Sequence, residues 1–252
     1  MSIGEFGLLA FILSLANILA AIISFGAQTF LIYKISRYEL RKYYYLKRSV
    51  LLSFVIVIVL FGFILAGKYL IEFDFSSYYY ALLLAVILSL SNTVYCFFRG
   101  VGLFANAAVG YSVFISLIGI FSFYLYLSNL PTNLENMFWW CITINLMLLM
   151  TALVQLFYYS KKDNDERTFP DRPKSLFRFF RDRIPYGLHE LQSALYMNAI
   201  ILVLGFIVTN DQLATYRALQ LIFVPIGIVP IIMSQVLLKV LSERVAESQF
   251  VV

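Results

Sequence analysis

Seven uncharged apolar runs divide this chain, and each is long enough to cross a bilayer. A spanning helix needs about 20 apolar residues, and a charge at its centre costs roughly 2.5 to 3.5 kcal/mol on insertion scales. The runs are Phe6 to Tyr33, Ser49 to Gly67, Phe75 to Phe98, Gly100 to Leu134, Asn136 to Ser160, Leu191 to Asn210 and Ala218 to Leu238. The fourth is too long for one helix and carries Gly100, Gly102 and Pro131 at its ends, which places the helix nearer Ala105 to Leu127. Each run is expected to be helical, because an isolated strand leaves its backbone unsatisfied in lipid. Apolar residues make up 62% of the 252 residues and charged residues 13%, against about 25% charge in a soluble domain. The expected fold class is therefore an all-α integral membrane protein with about seven transmembrane helices.

The cations set the direction of the spans. Connections on one side carry 17 Lys and Arg residues, and the other side has only Lys68 and Arg217. Positive charge stays in the cytoplasm, so the N-terminus is expected outside and the C-terminus in the cytoplasm of a multi-pass inner-membrane protein. An outside N-terminus without a signal sequence suggests one preceding helix that this chain lacks. The main polar segment, Lys161 to Glu190, begins with the mixed-charge run KKDNDER and continues as SLFRFFRDRIP. The first part reads as solvated linker and the second as an interfacial helix, with Pro185 starting the next span.

Several function classes are excluded at this point. The net charge of +5 comes from cations placed between spans, the pattern of a membrane face and not of a nucleic-acid partner. Cys96 and Cys141 lie within apolar spans without metal-ligand spacing, and there is a single histidine. Neither a metal or cofactor site nor a Ser-His-Asp mechanism is supported, and the chain is read as a non-enzyme.

Within the spans, small and polar residues mark the faces that meet other helices or line a cavity. In the first run Ala10, Ser14, Asn17, Ala21, Ser24 and Gln28 recur at steps of 4 and 3, which places them on one helical face. The third run repeats the pattern with Ala85, Ser89, Asn92, Cys96 and Arg99, and the fifth offers Asn145, Ala152 and Gln155. The Ala and Ser positions read as close packing, whereas the amides Asn17, Gln28, Asn92 and Asn145 fit a polar pathway equally well. Lys34 and Arg37, one turn apart below the first stripe, are placed to meet an anionic headgroup from the cytosol. Arg99 reads first as a positive-inside anchor and second as a phosphate contact. Glu190, beside His189, reads first as half of an interfacial pair reaching to headgroups and second as a proton or cation site.

The segments GEFGLLAFILSLANILAAIISFGAQTFLIYKISR and IPYGLHELQSALYMNAIILVLGFIVTNDQLATYRALQLIFVPIG carry a resemblance to a known family. The first is similar to the second helix, with its preceding glycine turn and following basic loop, of the polysaccharide-biosynthesis transporters. These include the O-antigen flippases of the multidrug/oligosaccharidyl-lipid/polysaccharide exporter superfamily. The second segment resembles the family's seventh and eighth helices. The resemblance implies two six-helix lobes. Residues 1–160 would form the N-terminal lobe without its first helix, 161–190 the cytoplasmic linker, and 191–252 the first two helices of the C-terminal lobe. A faint internal echo, Gln212, Leu213 and Ala214 against Glu5, Phe6 and Gly7, fits that duplication. Where many relatives carry an acidic residue in the seventh helix, this chain has Asn198.

The resemblance further implies a flippase that carries an undecaprenyl-pyrophosphate-linked oligosaccharide, such as an O-antigen unit of lipopolysaccharide, from the inner to the outer leaflet of the bacterial inner membrane. It would act beside other glycan assembly proteins, with Asn17, Gln28, Lys34, Arg37, Asn92, Arg99, Asn145 and Glu190 along the substrate pathway. A truncated gene product is expected from the missing helices. Two rivals remain: a multidrug or cation antiporter of the same superfamily, and a membrane-embedded glycan transferase or polymerase.

Overall fold

The computed structural model describes residues 2–38, 41–71, 76–109, 133–162 and 175–220, together with the single helical residues 112, 116, 117, 120, 233, 237, 240 and 241. Six helices are bounded at both ends: α1 (Ile3–Ser24), α2 (Ala27–Arg37), α3 (Lys42–Ile71), α4 (Ser76–Val101), α5 (Leu134–Lys162) and α6 (Leu176–Ile207). Residues 104–109 and 210–220 are also helical, and no strand occurs among the described residues. Most of the fourth expected span, the seventh beyond Gln220, and the KKDNDER run after Lys162 lie outside the described residues.

Five described stretches are long and apolar enough to cross a membrane: Ile3–Arg37, Lys42–Gly67, Tyr79–Val101, Leu134–Lys161 and Leu176–Ile207. α3 has 30 residues, about 45 Å at 1.5 Å per residue, which exceeds a hydrocarbon core of about 30 Å. It presents Phe54, Ile58, Val59 and Phe63 outward. A helix apolar on its outer face suits lipid and not water. The chain is a multi-pass membrane protein.

α1 and α4 form the centre of the bundle. α1 packs most extensively on α4 and α6, while α4 also meets α2, α3 and α5. Small residues permit this approach: Ala16 of α1 shares a buried cluster with Ala81 and Leu84 of α4, and Ala20 shares another with Ala85. The Ser and Thr hydroxyls fall into two groups. Ser91 and Thr93 donate to the carbonyls of Ile87 and Ser89 one turn back, at 2.8 and 2.7 Å, a local solution that needs no partner helix. Ser14 and Ser89 are fully buried, as small residues at a close helix contact should be.

Helix ends follow local chemistry. Ser2 and Glu5 form a reciprocal capping box at the start of α1, with Ser2 N–H donating to Glu5 Oε2 at 2.6 Å and Glu5 N–H to Ser2 Oγ at 3.2 Å. α4 closes at Gly102, whose φ of 91° permits paired bonds from Leu103 N to Phe98 O (2.8 Å) and Gly102 N to Arg99 O (3.1 Å). That pairing satisfies the last carbonyls of the helix and ends the span where the two glycines placed it.

Two expectations change. The first apolar run is two helices, α1 and α2, separated at Phe25 and Gly26. The interfacial segment and the span after it are one 32-residue helix, α6, that runs through Pro185. Pro removes one backbone donor, a loss that neighbouring helices absorb in membrane bundles.

Close contact between α1 and α6 depends on Gly205. A Cβ there would sit 2.4 Å from the Phe11 ring, whereas one at Gly62 on α3 would meet nothing within 4 Å. Gly205→Leu is therefore expected to destabilise the bundle by about 1 to 3 kcal/mol through overpacking, and Gly62→Leu to leave it unchanged. Thermal unfolding of the two variants in detergent checks the contrast.

Candidate functional site

The interruption between α1 and α2 is the most unusual backbone in the described chain. Phe25 has φ 33° and ψ 64°, and Gly26 has φ 80° and ψ 8°, so two consecutive residues are left-handed. Left-handed geometry costs a non-glycine residue roughly 1 to 3 kcal/mol and persists only where the surroundings hold it. α6 supplies those surroundings. A Cβ on Gly26 would lie 2.4 Å from Gly187 N, and one on Gly187 would lie 2.8 Å from the Phe25 ring. The two backbones thus meet glycine against glycine. Phe25 also stacks on Phe180, ring centroids 5.1 Å apart.

Breaking a helix exposes the carbonyls of one half and the amides of the other. α6 answers both sets from one face, since Arg183, Gly187 and Glu190 follow at steps of 4 and 3. Arg183, with 0% of its surface exposed, donates from Nε to Phe25 O at 3.2 Å and from a second guanidinium nitrogen to Ser24 O. Glu190 accepts from Thr29 N at 2.8 Å and Gly26 N at 3.0 Å, and its Oε2 lies 3.3 Å from Ser24 Oγ. A cation therefore faces the negative end of α1 and an anion the positive end of α2, the favourable sense for both helix dipoles.

Beside this break lies a cavity of about 500 Å³. Its polar lining comes from Asn17 of α1, Gln28 and Thr29 of α2, Asn92 of α4, and His189, Glu190, Ser193 and Asn198 of α6, with Ala20, Ala21, Ile32, Leu88, Ala194 and Met197 as its apolar wall. Asn198 donates to Ala194 O one turn back at 2.9 Å. A second cavity, about 410 Å³, is framed by Ser2, Ile3, Phe6, Ala214, Thr215 and Ala218 and carries no charged group.

Four of the eight residues singled out from the sequence, Asn17, Gln28, Asn92 and Glu190, meet in the polar cavity. The other four do not line it. Lys34, in the last turn of α2, lies 5.4 to 5.8 Å from the ring centres of Phe30, Tyr33 and Tyr38. Arg37 donates to Tyr33 Oη at 3.0 Å. Arg99 occupies the carbonyl end of α4. Asn145 donates to Cys141 O at 2.8 Å and is buried on the face of α5 that carries Leu148 and Ala152 against α4. Glu190 also departs from the preferred interfacial reading, because it points inward onto the helix break. Arg183, Thr29 and Ser193 were missed. The signal that could have found Arg183 is its shared face with Gly187 and Glu190.

These features belong to a polytopic bundle with a polar interior, and comparison with known proteins decides its kind. The family model described as "Polysaccharide biosynthesis protein" matches residues 1–244. The chain belongs to the polysaccharide biosynthesis protein family. The match runs across α1 to α6 and on through the segment after Gln220, so the family assignment covers the cavity, the helix break and the two residues that clamp it, Arg183 and Glu190. No curated protein and no solved structure matches the chain. A role in polysaccharide biosynthesis at the membrane follows from the family and from the apolar helices together.

Proposed function

We propose that this polysaccharide biosynthesis protein carries a lipid-linked oligosaccharide across the bacterial inner membrane, from the cytoplasmic to the outer leaflet. The observation that carries the reading is the cavity of about 500 Å³ lined by amides, hydroxyls, an imidazole and a carboxylate inside a bundle of long apolar helices. Amides and hydroxyls offer both donors and acceptors, which suits sugar hydroxyls. The lipid tail needs no site of its own, since it remains in the bilayer while the polar head crosses. No covalent bond changes in this process, so the chain acts as a transporter and not as an enzyme. Lys34 and Arg37, among tyrosines at the end of α2, are suited to meet the undecaprenyl pyrophosphate as it arrives from the cytosol. The distribution of Lys and Arg supports an N-out, C-in orientation.

Cation antiport is the weaker alternative. The carboxylate of Glu190 already has three donors around it, which makes it a cap for α2. Loss of the gene is expected to leave completed lipid-linked units on the cytoplasmic leaflet. A glycan transferase would instead leave incomplete units, and a polymerase would leave single units displayed at the surface. Restoring the gene with Asn17→Leu and Asn92→Leu together, which replaces two cavity amides by apolar groups, is expected to reduce surface glycan about tenfold or more, given the roughly 1 to 3 kcal/mol cost of each unpaired polar contact. Quantifying surface glycan at equal membrane levels of the protein checks this, and normal display would refute the role of the cavity.

A further inference from the structure

In broken membrane helices, the free carbonyls at the end of the first half commonly coordinate a mobile sodium ion. Here the same carbonyls, those of Ser24 and Phe25, are both taken by the guanidinium of Arg183. We infer that Arg183 is a tethered cation that fills a monovalent-cation position at the α1–α2 break, making the break independent of sodium in the native protein. Two carbonyl oxygens, Ser24 O and Phe25 O, meet the guanidinium, and beside them the hydroxyl of the same Ser24 lies 3.3 Å from the Glu190 carboxylate. Oxygen donors with one negative charge are the donor set of a hard cation. Burial of the arginine excludes an exchangeable surface role: it is 0% exposed, and its Nη1 has no hydrogen-bond partner.

The fixed charge also explains why Glu190 is kept so close by. Its carboxylate balances the guanidinium while capping α2, so both halves of the broken helix are held by charges carried on one neighbour. A mobile ion would leave the position empty at low salt. A tethered one keeps the break closed whatever the ionic surroundings.

Removing Arg183 should turn this position into a sodium site. The test uses the full chain purified in detergent, with unfolding temperature measured in sodium chloride and in choline chloride at equal ionic strength. Arg183→Ala and Arg183→Gln are expected to be stabilised by sodium, by about 2 °C or more between 1 and 100 mM. The wild type, Arg183→Lys and the double variant Arg183→Ala with Glu190→Gln are expected to respond equally to both salts. A sodium response in the wild type that Glu190→Gln abolishes would overturn the inference, because a mobile ion would then share the position. Folded Arg183→Ala and Arg183→Gln proteins indifferent to sodium would overturn it as well, as would failure of both to fold in either salt. The readout is stability, so a failed transport assay leaves this inference intact.

Discussion

Gly26→Val is expected to destabilise the protein by about 2 to 6 kcal/mol, combining the strain of a left-handed β-branched residue with the overpacking of a closed backbone contact. The position has φ 80°, and any Cβ would lie 2.4 Å from the backbone nitrogen of Gly187. Backbone cannot rotate aside as a side chain can, so the helices must separate or the break must move. Either change pulls Gly26 N and Thr29 N away from Glu190, to which they donate at 3.0 and 2.8 Å. Gly187→Ala should cost less, since its nearest neighbours are ring atoms of Phe25 at 2.8 Å, and a ring can tilt. Unfolding curves in detergent rank the two variants. A Gly26→Val protein as stable as the wild type would mean that the break is not held against α6.

Much of the fold was legible because hydropathy and charge are properties of whole segments. The five described helical stretches long and apolar enough to cross a membrane overlap the uncharged runs, and the stripe Ala85, Ser89, Cys96 is buried. What the sequence concealed depends on single residues. The break at Phe25 and Gly26 sits inside an unbroken apolar run, and hydropathy sees no boundary where no charge intervenes. A lone glycine in such a run is weak punctuation. Arg183 was hidden for the opposite reason: positive-inside counting treats every cation alike, so a buried arginine adds to the tally of a cytoplasmic segment. Pro185 reads as a helix start when neighbours are unknown, yet α6 continues through it. Among the candidate site residues chosen by helical face, Asn17, Gln28 and Asn92 line the cavity, whereas Asn145 is buried on the α5 face that packs on α4 instead. Of the charged residues near span ends, Glu190 lines it and Lys34, Arg37 and Arg99 do not, because charge alone says nothing about face.

Glu190→Ala is expected to cost about 3 to 5 kcal/mol, because deleting one member of a buried, oppositely charged arrangement leaves the other uncompensated. Two backbone amides, Gly26 and Thr29, lose their acceptor, and the buried guanidinium of Arg183 loses the nearby negative charge that balances it. Glu190→Gln removes the charge and keeps part of the cap. Gly26 N and Thr29 N donate to different carboxylate oxygens, so the single amide oxygen of Gln can accept from only one of them; half of the cap survives while the charge is gone, and a smaller loss of about 1 to 3 kcal/mol is expected. Transport should follow the same order if the cavity needs an intact break: surface glycan strongly reduced in Glu190→Ala and partly retained in Glu190→Gln, at matched membrane levels. Equal stability of both variants with the wild type would remove the clamp as a structural element. Equal loss in both would show that a single amide acceptor adds nothing to the position and that the full carboxylate is required.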